Sequence, residues 1–234
     1  MKLTVLGARG AWPSATEGTC AFLLQTGLEN ILVECGSGAL AAVQKHIALQ
    51  DIDAVVLSHL HADHACELPL LGYARARLTP DKPVAVYAPN KPEFAWEYLQ
   101  NNGHSMHAIS AGDTIHIGAI TIKTYNTQHP FPGVSLRFEA ENKIVAYSGD
   151  TCLTPEIQKC AQDADVFLAN TAFTQALLAA APHLSAKDAA TTAKAAKVKR
   201  LVLAHIMPTQ CAEEALREAR GTFAETVIGQ NGLF

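Results

Sequence analysis

Ser58-His59-Leu60-His61-Ala62-Asp63-His64 places three imidazoles and a carboxylate in the positions from His59 to His64. The run leading into it, Ala54-Val55-Val56-Leu57, is apolar and rich in β-branched residues and reads as a buried strand. The cluster therefore begins where a strand ends and a loop starts, a place where a rigid scaffold presents functional side chains. Imidazole is the commonest metal ligand among side chains, and imidazole with carboxylate suits Zn, Mn or Fe. In extended chain, residues two apart point the same way, so His59 and His61 can close on one ion. Asp63 and His64 follow the turn and can face a second ion. A His-rich surface loop or a pair of core histidines explains a lone His better than it explains this spacing.

The chain has 234 residues, long enough to bury a substantial core, and its composition is 49% hydrophobic and 17% charged. The expected organisation is one domain spanning residues 1–234. Its net charge is −4. The densest basic cluster, Lys194, Lys197, Lys199 and Arg200, reads as a helix end and a solvated turn. Nucleic acid is therefore not the favoured partner, since phosphate contacts dominate such binding. A small anionic substrate remains compatible. The start, Met1 to Gly7, is too short an apolar run for a signal peptide and reads as a first strand. No stretch approaches the roughly eighteen apolar residues of a membrane span. Six cysteines (Cys20, Cys35, Cys66, Cys152, Cys160 and Cys211) form no Cys-X-X-Cys pair. They read as free thiols of a cytoplasmic protein, most of them core packing, with Cys66 and Cys152 expected near the metals.

Apolar runs predict strands at Lys2–Gly7, Cys20–Gln25, Asn30–Cys35, Ala54–Ser58 and Val84–Ala88. A second round covers Ile120–Tyr125, Val134–Glu139, Ile144–Ser148, Val166–Ala169 and Leu201–Ala204. Ala140-Glu141-Asn142 is expected at a hairpin tip. Helices are expected over Ala39–Ala48, Glu67–Ala76, Lys91–Asn101, Pro155–Cys160, Ala186–Ala196 and Ala212–Arg220. Ser185 to Asp188 resembles a capping box, and Thr209 reads as an N-cap. Ala8–Gly18, Asn102–Ser110 and Phe173–Pro182 read as loops. Two rounds of strands with interspersed helices suggest an α/β architecture of two packed sheets covered by helices.

Three further residues stand just past strand-like runs: His129 after Ile120–Tyr125, Asp150 after Ile144–Ser148, and His205 after Leu201–Ala204. His183 instead precedes the expected helix start at Ser185. Each alone has an ordinary reading, such as a turn Asp beside Gly149 or a core-edge His. Strand ends gathered along one sheet edge are also where open sheets place their sites.

In this order the motifs resemble those of the metallo-β-lactamase superfamily, over nearly the whole chain. The narrower likeness is to its ribonuclease Z-like and cyclic phosphodiesterase branch. Met1–Gly7, Glu34-Cys35-Gly36-Ser37-Gly38 and His183-Leu184-Ser185-Ala186-Lys187-Asp188-Ala189 carry it. The resemblance implies a four-layer αβ/βα sandwich with two mixed sheets flanked by helices, and metals at the edge between the sheets. It implies two divalent ions, zinc first, with Mn or Fe as alternatives. His59, His61 and His129 would hold one; Asp63, His64 and His205 would hold the other; Asp150 would bridge. This leaves an open position for a bridging hydroxide. Asp63 and His183 are the candidate catalytic residues, His183 as general acid or as donor to a phosphoryl oxygen. Asn170 stands where the branch usually has an acid that orients this His, and Glu34 stands where Asp is usual, as a partner to a ligand His. A homodimer is common in the branch.

The implied activity is metal-dependent hydrolysis, of a small cyclic or linear phosphodiester. The short span from His129 to Asp150 has room for one hairpin but not for the arm with which ribonuclease Z grips tRNA. A tRNA endoribonuclease, a thioesterase or a lactonase of the same superfamily are the alternatives, and a non-enzymatic metal-binding module is a further one. Arg75 and Arg77 could reach an anionic substrate or simply mark an exposed helix end.

Overall fold

The computed structural model describes residues 1–100, 102–177, 182–230 and 232–233. The strands in chain order are β1 (Lys2–Gly7), β2 (Ala21–Gln25), β3 (Asn30–Val33), β4 (Ala54–Val56), β5 (Ala85–Ala88), β6 (Ser105–Ala108) and β7 (Thr114–Ile117). They continue with β8 (Ile120–Asn126), β9 (Val134–Ala140), β10 (Lys143–Tyr147), β11 (Val166–Asn170), β12 (Arg200–Ala204), β13 (Thr226–Ile228) and β14 (Gly232–Leu233). The helices are α1 (Ala39–Val43), α2 (Ala62–Ala65), α3 (Leu68–Leu78), α4 (Glu93–Gln100), α5 (Pro155–Ala161), α6 (Ala186–Ala195) and α7 (Ala212–Arg220).

Among the described residues the strands form two mixed sheets, ordered β14-β1-β2-β3-β4-β5-β6 and β13-β12-β11-β10-β9-β8-β7. Strands β3 to β6 run parallel in the first sheet, and β10 to β13 run parallel in the second. Every residue of β4 is buried, as are the last four of β11 and of β12. Such unbroken apolar runs belong to parallel strands covered on both faces. By contrast β8 alternates, in keeping with its place near the sheet edge.

Three apolar clusters define the layers. Phe22, Leu24, Ile31, Ile122, Phe138 and Tyr147 belong to the one between the two sheets. The second packs α5, α6 and α7 on the outside of the second sheet. The third packs α1, α3 and α4 on the outside of the first. The result is the expected four-layer sandwich. Alanine-rich α6 turns Ala186, Ala189, Ala190 and Ala193 inward, which lets its backbone lie close to the sheet. Its start is the anticipated capping box: Ser185 accepts from the Asp188 N–H, and Asp188 accepts from the Ser185 N–H. The hairpin β9–β10 turns on Glu141 and Asn142, both with positive φ, the geometry of a tight two-residue turn. Among the described residues, no helix is long and apolar enough to cross a membrane.

Several local expectations give way. Helix α1 stops at Val43 rather than Ala48, because the chain tightens into i→i+3 bonds from Lys45 and His46 and tucks Ile47 against the core. Thr209 does not cap α7; Cys211 occupies that position without a side-chain bond, after a turn closed by the Gln210 N–H on the Met207 carbonyl. The segment read as a loop at Asn102–Ser110 contains edge strand β6. That strand, β7, β13 and β14 escape detection because they are short, and β6 and β7 mix polar with apolar residues and are partly exposed. Asn101 and residues 178–181 of the Phe173–Pro182 segment lie outside the described residues.

Candidate metal centre

Parallel pairing puts the carboxyl ends of β3 and β4 at one edge of the first sheet. It puts those of β10, β11 and β12 at one edge of the second. These ends deliver Glu34, the His59–His64 segment, Asp150, Asn170 and His205. His129 comes from the loop after β8. The edges are sewn together by backbone: the Val134 N–H donates to the Ser58 carbonyl at 2.9 Å, from one sheet to the other. Thus residues far apart in sequence meet because strand ends meet.

His59 Nε2 and His61 Nδ1 lie 3.0 Å apart. One ligand atom from each of His59, His61 and His129 falls within 4.8 Å of the others. His205 Nε2 is 3.1 Å from Asp63 Oδ2, and His64 Nε2 is 3.5 Å from the same oxygen. Asp150 Oδ2 lies between these two groups, 3.7 Å from His59 Nε2, 3.6 Å from His64 Nε2 and 3.5 Å from His205 Nε2. His183 Nδ1 stands 3.9 Å from that oxygen. The structure therefore brings all eight candidate residues to one place. His59, His64, Asp150 and His205 are buried, while His61, Asp63, His129 and His183 are partly exposed and form the open side.

Surrounding groups fix the ligand atoms. His129 Nδ1 is held against the Phe131 backbone, 3.1 Å from its carbonyl oxygen and 3.3 Å from its nitrogen. Ser58 Oγ lies 3.0 Å from His59 Nδ1. Glu34, fully buried, accepts from the Ser58 N–H at 3.1 Å and faces His64 Nδ1 at 3.4 Å, as a partner to a ligand His should. Gly149 has φ +56, and a Cβ there would sit 2.9 Å from the Ser58 side chain. Gly10 packs so closely on His205 that a Cβ would fall 2.3 Å from the imidazole ring.

Burial raises the Asp150 pKa, but His205 and His64 outweigh it and hold the carboxyl well below the usual range. Asp63 behaves likewise, burial being overcome by His205 and His64. Burial, then the neighbouring His64, pushes His59 well below an ordinary imidazole. His64 goes the other way: burial lowers it, but Asp150 and Glu34 raise it further. Burial pushes His183 down to about 4. Both nitrogens of His64, with Nδ1 of His205 and of His183, are buried without a hydrogen-bond partner among the described residues. Imidazole nitrogens 3.1 to 3.9 Å from the carboxylate oxygens of Asp63 and Asp150, several of them buried without a hydrogen-bond partner, are a donor set suited to divalent cations.

Two expectations change at this site, and one further residue joins it. Asn170 does not hold His183. Its Nδ2 donates to Asp150 Oδ1 at 2.8 Å and to the Tyr147 hydroxyl at 3.0 Å, so it positions the central carboxylate. Arg75 is neither near the site nor exposed. It is buried, and its guanidinium donates to the carbonyls of Leu49, Gln50, Ile52 and Lys82, pinning α3 to the neighbouring turns; Arg77 is exposed. Of the cysteines, Cys20, Cys35 and Cys160 are buried and Cys66 and Cys211 are exposed. The one whose sulfur joins His64 and His205 is Cys20, which sequence reasoning missed. Burial, then Asp150 and Asp63, raises its pKa well above that of an ordinary thiol. Nothing in its sequence neighbourhood signals that position.

A sequence profile of the β-lactamase superfamily domain matches residues 29–206, which include every candidate ligand. The chain belongs to the metallo-β-lactamase superfamily. Within that superfamily it is 27% identical over 240 residues to a probable metallo-hydrolase, YhfI, of Bacillus subtilis (strain 168), covering 100% of this chain and 98% of the relative. The YhfI crystal structure superposes with a TM-score of 0.93 at 25% identity, over 100% of this chain and 98% of that one. A ribonuclease BN of Cronobacter sakazakii is 25% identical over 302 residues, covering 100% of this chain and 99% of the relative. The chain is a metal-dependent hydrolase, and its superfamily implies divalent ions.

Proposed function

We propose that residues 1–234 form one domain that hydrolyses a small phosphodiester, with two divalent ions, zinc first. The observation that carries this reading is the place of Asp150 Oδ2, within 3.5 to 3.7 Å of imidazoles from both halves of the centre. One carboxylate oxygen so placed suits a ligand shared by two ions. His59, His61 and His129 would hold one ion, and Asp63, His64 and His205 the other. When bound, such a pair supplies Lewis acidity and an acidified water, and braces the attacking and leaving oxygens of a displacement.

The chain's own residues do the rest. Asn170 and Glu34 hold Asp150 and His64 in place. His183, at the open side and 3.9 Å from Asp150, is placed to donate a hydrogen bond to a phosphoryl oxygen. In the overall reaction water supplies the oxygen that joins phosphorus, one P–O ester bond breaks, and the departing oxygen gains a proton. Relatives named as ribonucleases support phosphodiester chemistry. A small substrate is favoured over tRNA because a short loop and the β9–β10 hairpin span the chain from His129 to Asp150, with no inserted arm.

The test is metal analysis of the protein as purified, without chelators. A panel of a simple phosphodiester, a precursor tRNA, a thioester and a lactone then follows with that metal restored. Two metals per chain and turnover of the simple phosphodiester are expected. Fewer than two metals, or turnover confined to the thioester or lactone, refutes the reading.

A further inference from the structure

A cavity of about 520 Å³ opens directly beside the centre, between the start of α2 and α3, helix α4 and the loop that follows His129. His61 and Phe131 line it, with their rings tilted against each other at a centroid distance of 4.0 Å. Leu60, Ala65, Pro69 and Leu99 continue the wall. Phe94 and Tyr98 complete it from α4; they are 71% and 64% exposed.

Three features of this cavity belong together. It is continuous with the centre, since His61 contributes both to it and to the group with His59 and His129. Its lining carries no Lys, Arg, Asp or Glu, so it suits a neutral apolar group and leaves the anionic phosphoryl to the centre. Phe94 and Tyr98 are spaced i,i+4 and stand on one face of α4, where two largely exposed aromatic rings do little for the core. A volume of this size accommodates a one- or two-ring group.

The geometry points to this cavity as a specificity subsite: the substrate is a phosphodiester that carries a flat apolar or aromatic group on one ester oxygen, seated between Phe131 and the Phe94–Tyr98 face. The inference rests on the phosphodiesterase reading and narrows its substrate class. Phe94 and Tyr98 are specificity residues, remote from the reacting atoms.

The experiment measures binding of two phosphonates to the metal-loaded full chain by calorimetry: methylphosphonate and (1-naphthylmethyl)phosphonate. The wild type is expected to bind the naphthyl compound roughly tenfold or more tighter, from the apolar area buried. In the double variant Phe94→Ala/Tyr98→Ala that advantage should shrink to about twofold while the methylphosphonate affinity holds. Ala95→Trp, which fills the cavity from α4, should abolish it. An unchanged advantage in both variants overturns the subsite, as does a wild type without apolar preference. Sedimentation of the same variants adds a further arm: a wild-type dimer that becomes monomeric in Phe94→Ala/Tyr98→Ala would assign the cavity to a second copy and overturn the proposal. Failure of the underlying reading looks different: no turnover of any phosphodiester, whatever the phosphonate binding.

Discussion

Replacing Asn170 by Ala should separate the fold from the centre it serves. The carboxamide is fully buried, and its Nδ2 makes two hydrogen bonds, one to Asp150 Oδ1 at 2.8 Å and one to the Tyr147 hydroxyl at 3.0 Å. A buried bond to a charged partner is worth about 1.5–3 kcal/mol and a neutral one about 1 kcal/mol. Their joint loss should cost the metal-free protein roughly 3 kcal/mol, or about 6–12 °C in Tm for a chain of this size. Asp150 also loses the group that fixes its rotamer. Removing such an outer partner typically weakens metal binding about 10- to 100-fold. Tyr147→Phe is the control: it removes the second bond alone, costs about 1 kcal/mol and leaves Asp150 held. Stability is read by urea unfolding, and metal affinity by competition with a chromogenic chelator. If Asn170→Ala retains wild-type metal affinity, or if Tyr147→Phe loses as much, the positioning role assigned to Asn170 is wrong.

Other outcomes follow from the same geometry. Gly10→Ala drives a methyl into the His205 ring, so metal content should fall toward half while circular dichroism changes little; full occupancy of both sites would show that the ring has room to move. Arg75→Ala strips four carbonyls of their donor and should destabilise the chain by about 3 kcal/mol, with metal stoichiometry unchanged in the folded fraction. Arg75→Lys should rescue it poorly, because an ammonium cannot reproduce the planar fork. Glu139 is pushed up by burial, but Arg137 and Lys123 outweigh this and hold it below the ordinary carboxylate range. Its stabilisation is therefore present above the unfolded-state pKa and is lost as pH falls through the lower folded value. Glu139→Gln should accordingly cost up to about 1 kcal/mol in urea unfolding at pH 7 and nothing once the wild-type carboxylate is protonated. A penalty that persists in acid would assign the effect to packing.

The parts of this protein that can be read without coordinates are those encoded locally. The buried run before His59 and the run before His205 announce strands because their residues are apolar throughout. The Ser185 box announces a helix because its hydrogen bonds span three residues. What stays hidden is whatever depends on contacts between distant segments. Asn170 reads as a partner for His183 until β10 and β11 are paired, and their register then places its amide beside Asp150. Arg75 reads as a surface cation because its carbonyl partners are a separate turn away in sequence. Cys20 has no motif at all. The short edge strands β6 and β7 mix polar and apolar side chains, since their open side faces solvent, and so lack the unbroken apolar run that marks the interior ones.

The seam described above has a thermodynamic consequence. Under the proposed assignment neither sheet would hold a complete ligand set: the first would contribute His59, His61, Asp63 and His64, the second His129, Asp150 and His205. Ions bound between them would act as a rivet, and any affinity they had for the native arrangement would count as resistance to parting the sheets. At a free-metal concentration a hundred times Kd, each site adds about 2.7 kcal/mol. Metal supply would then help determine how often the two halves separate, and survival under limited proteolysis should lengthen as free metal rises.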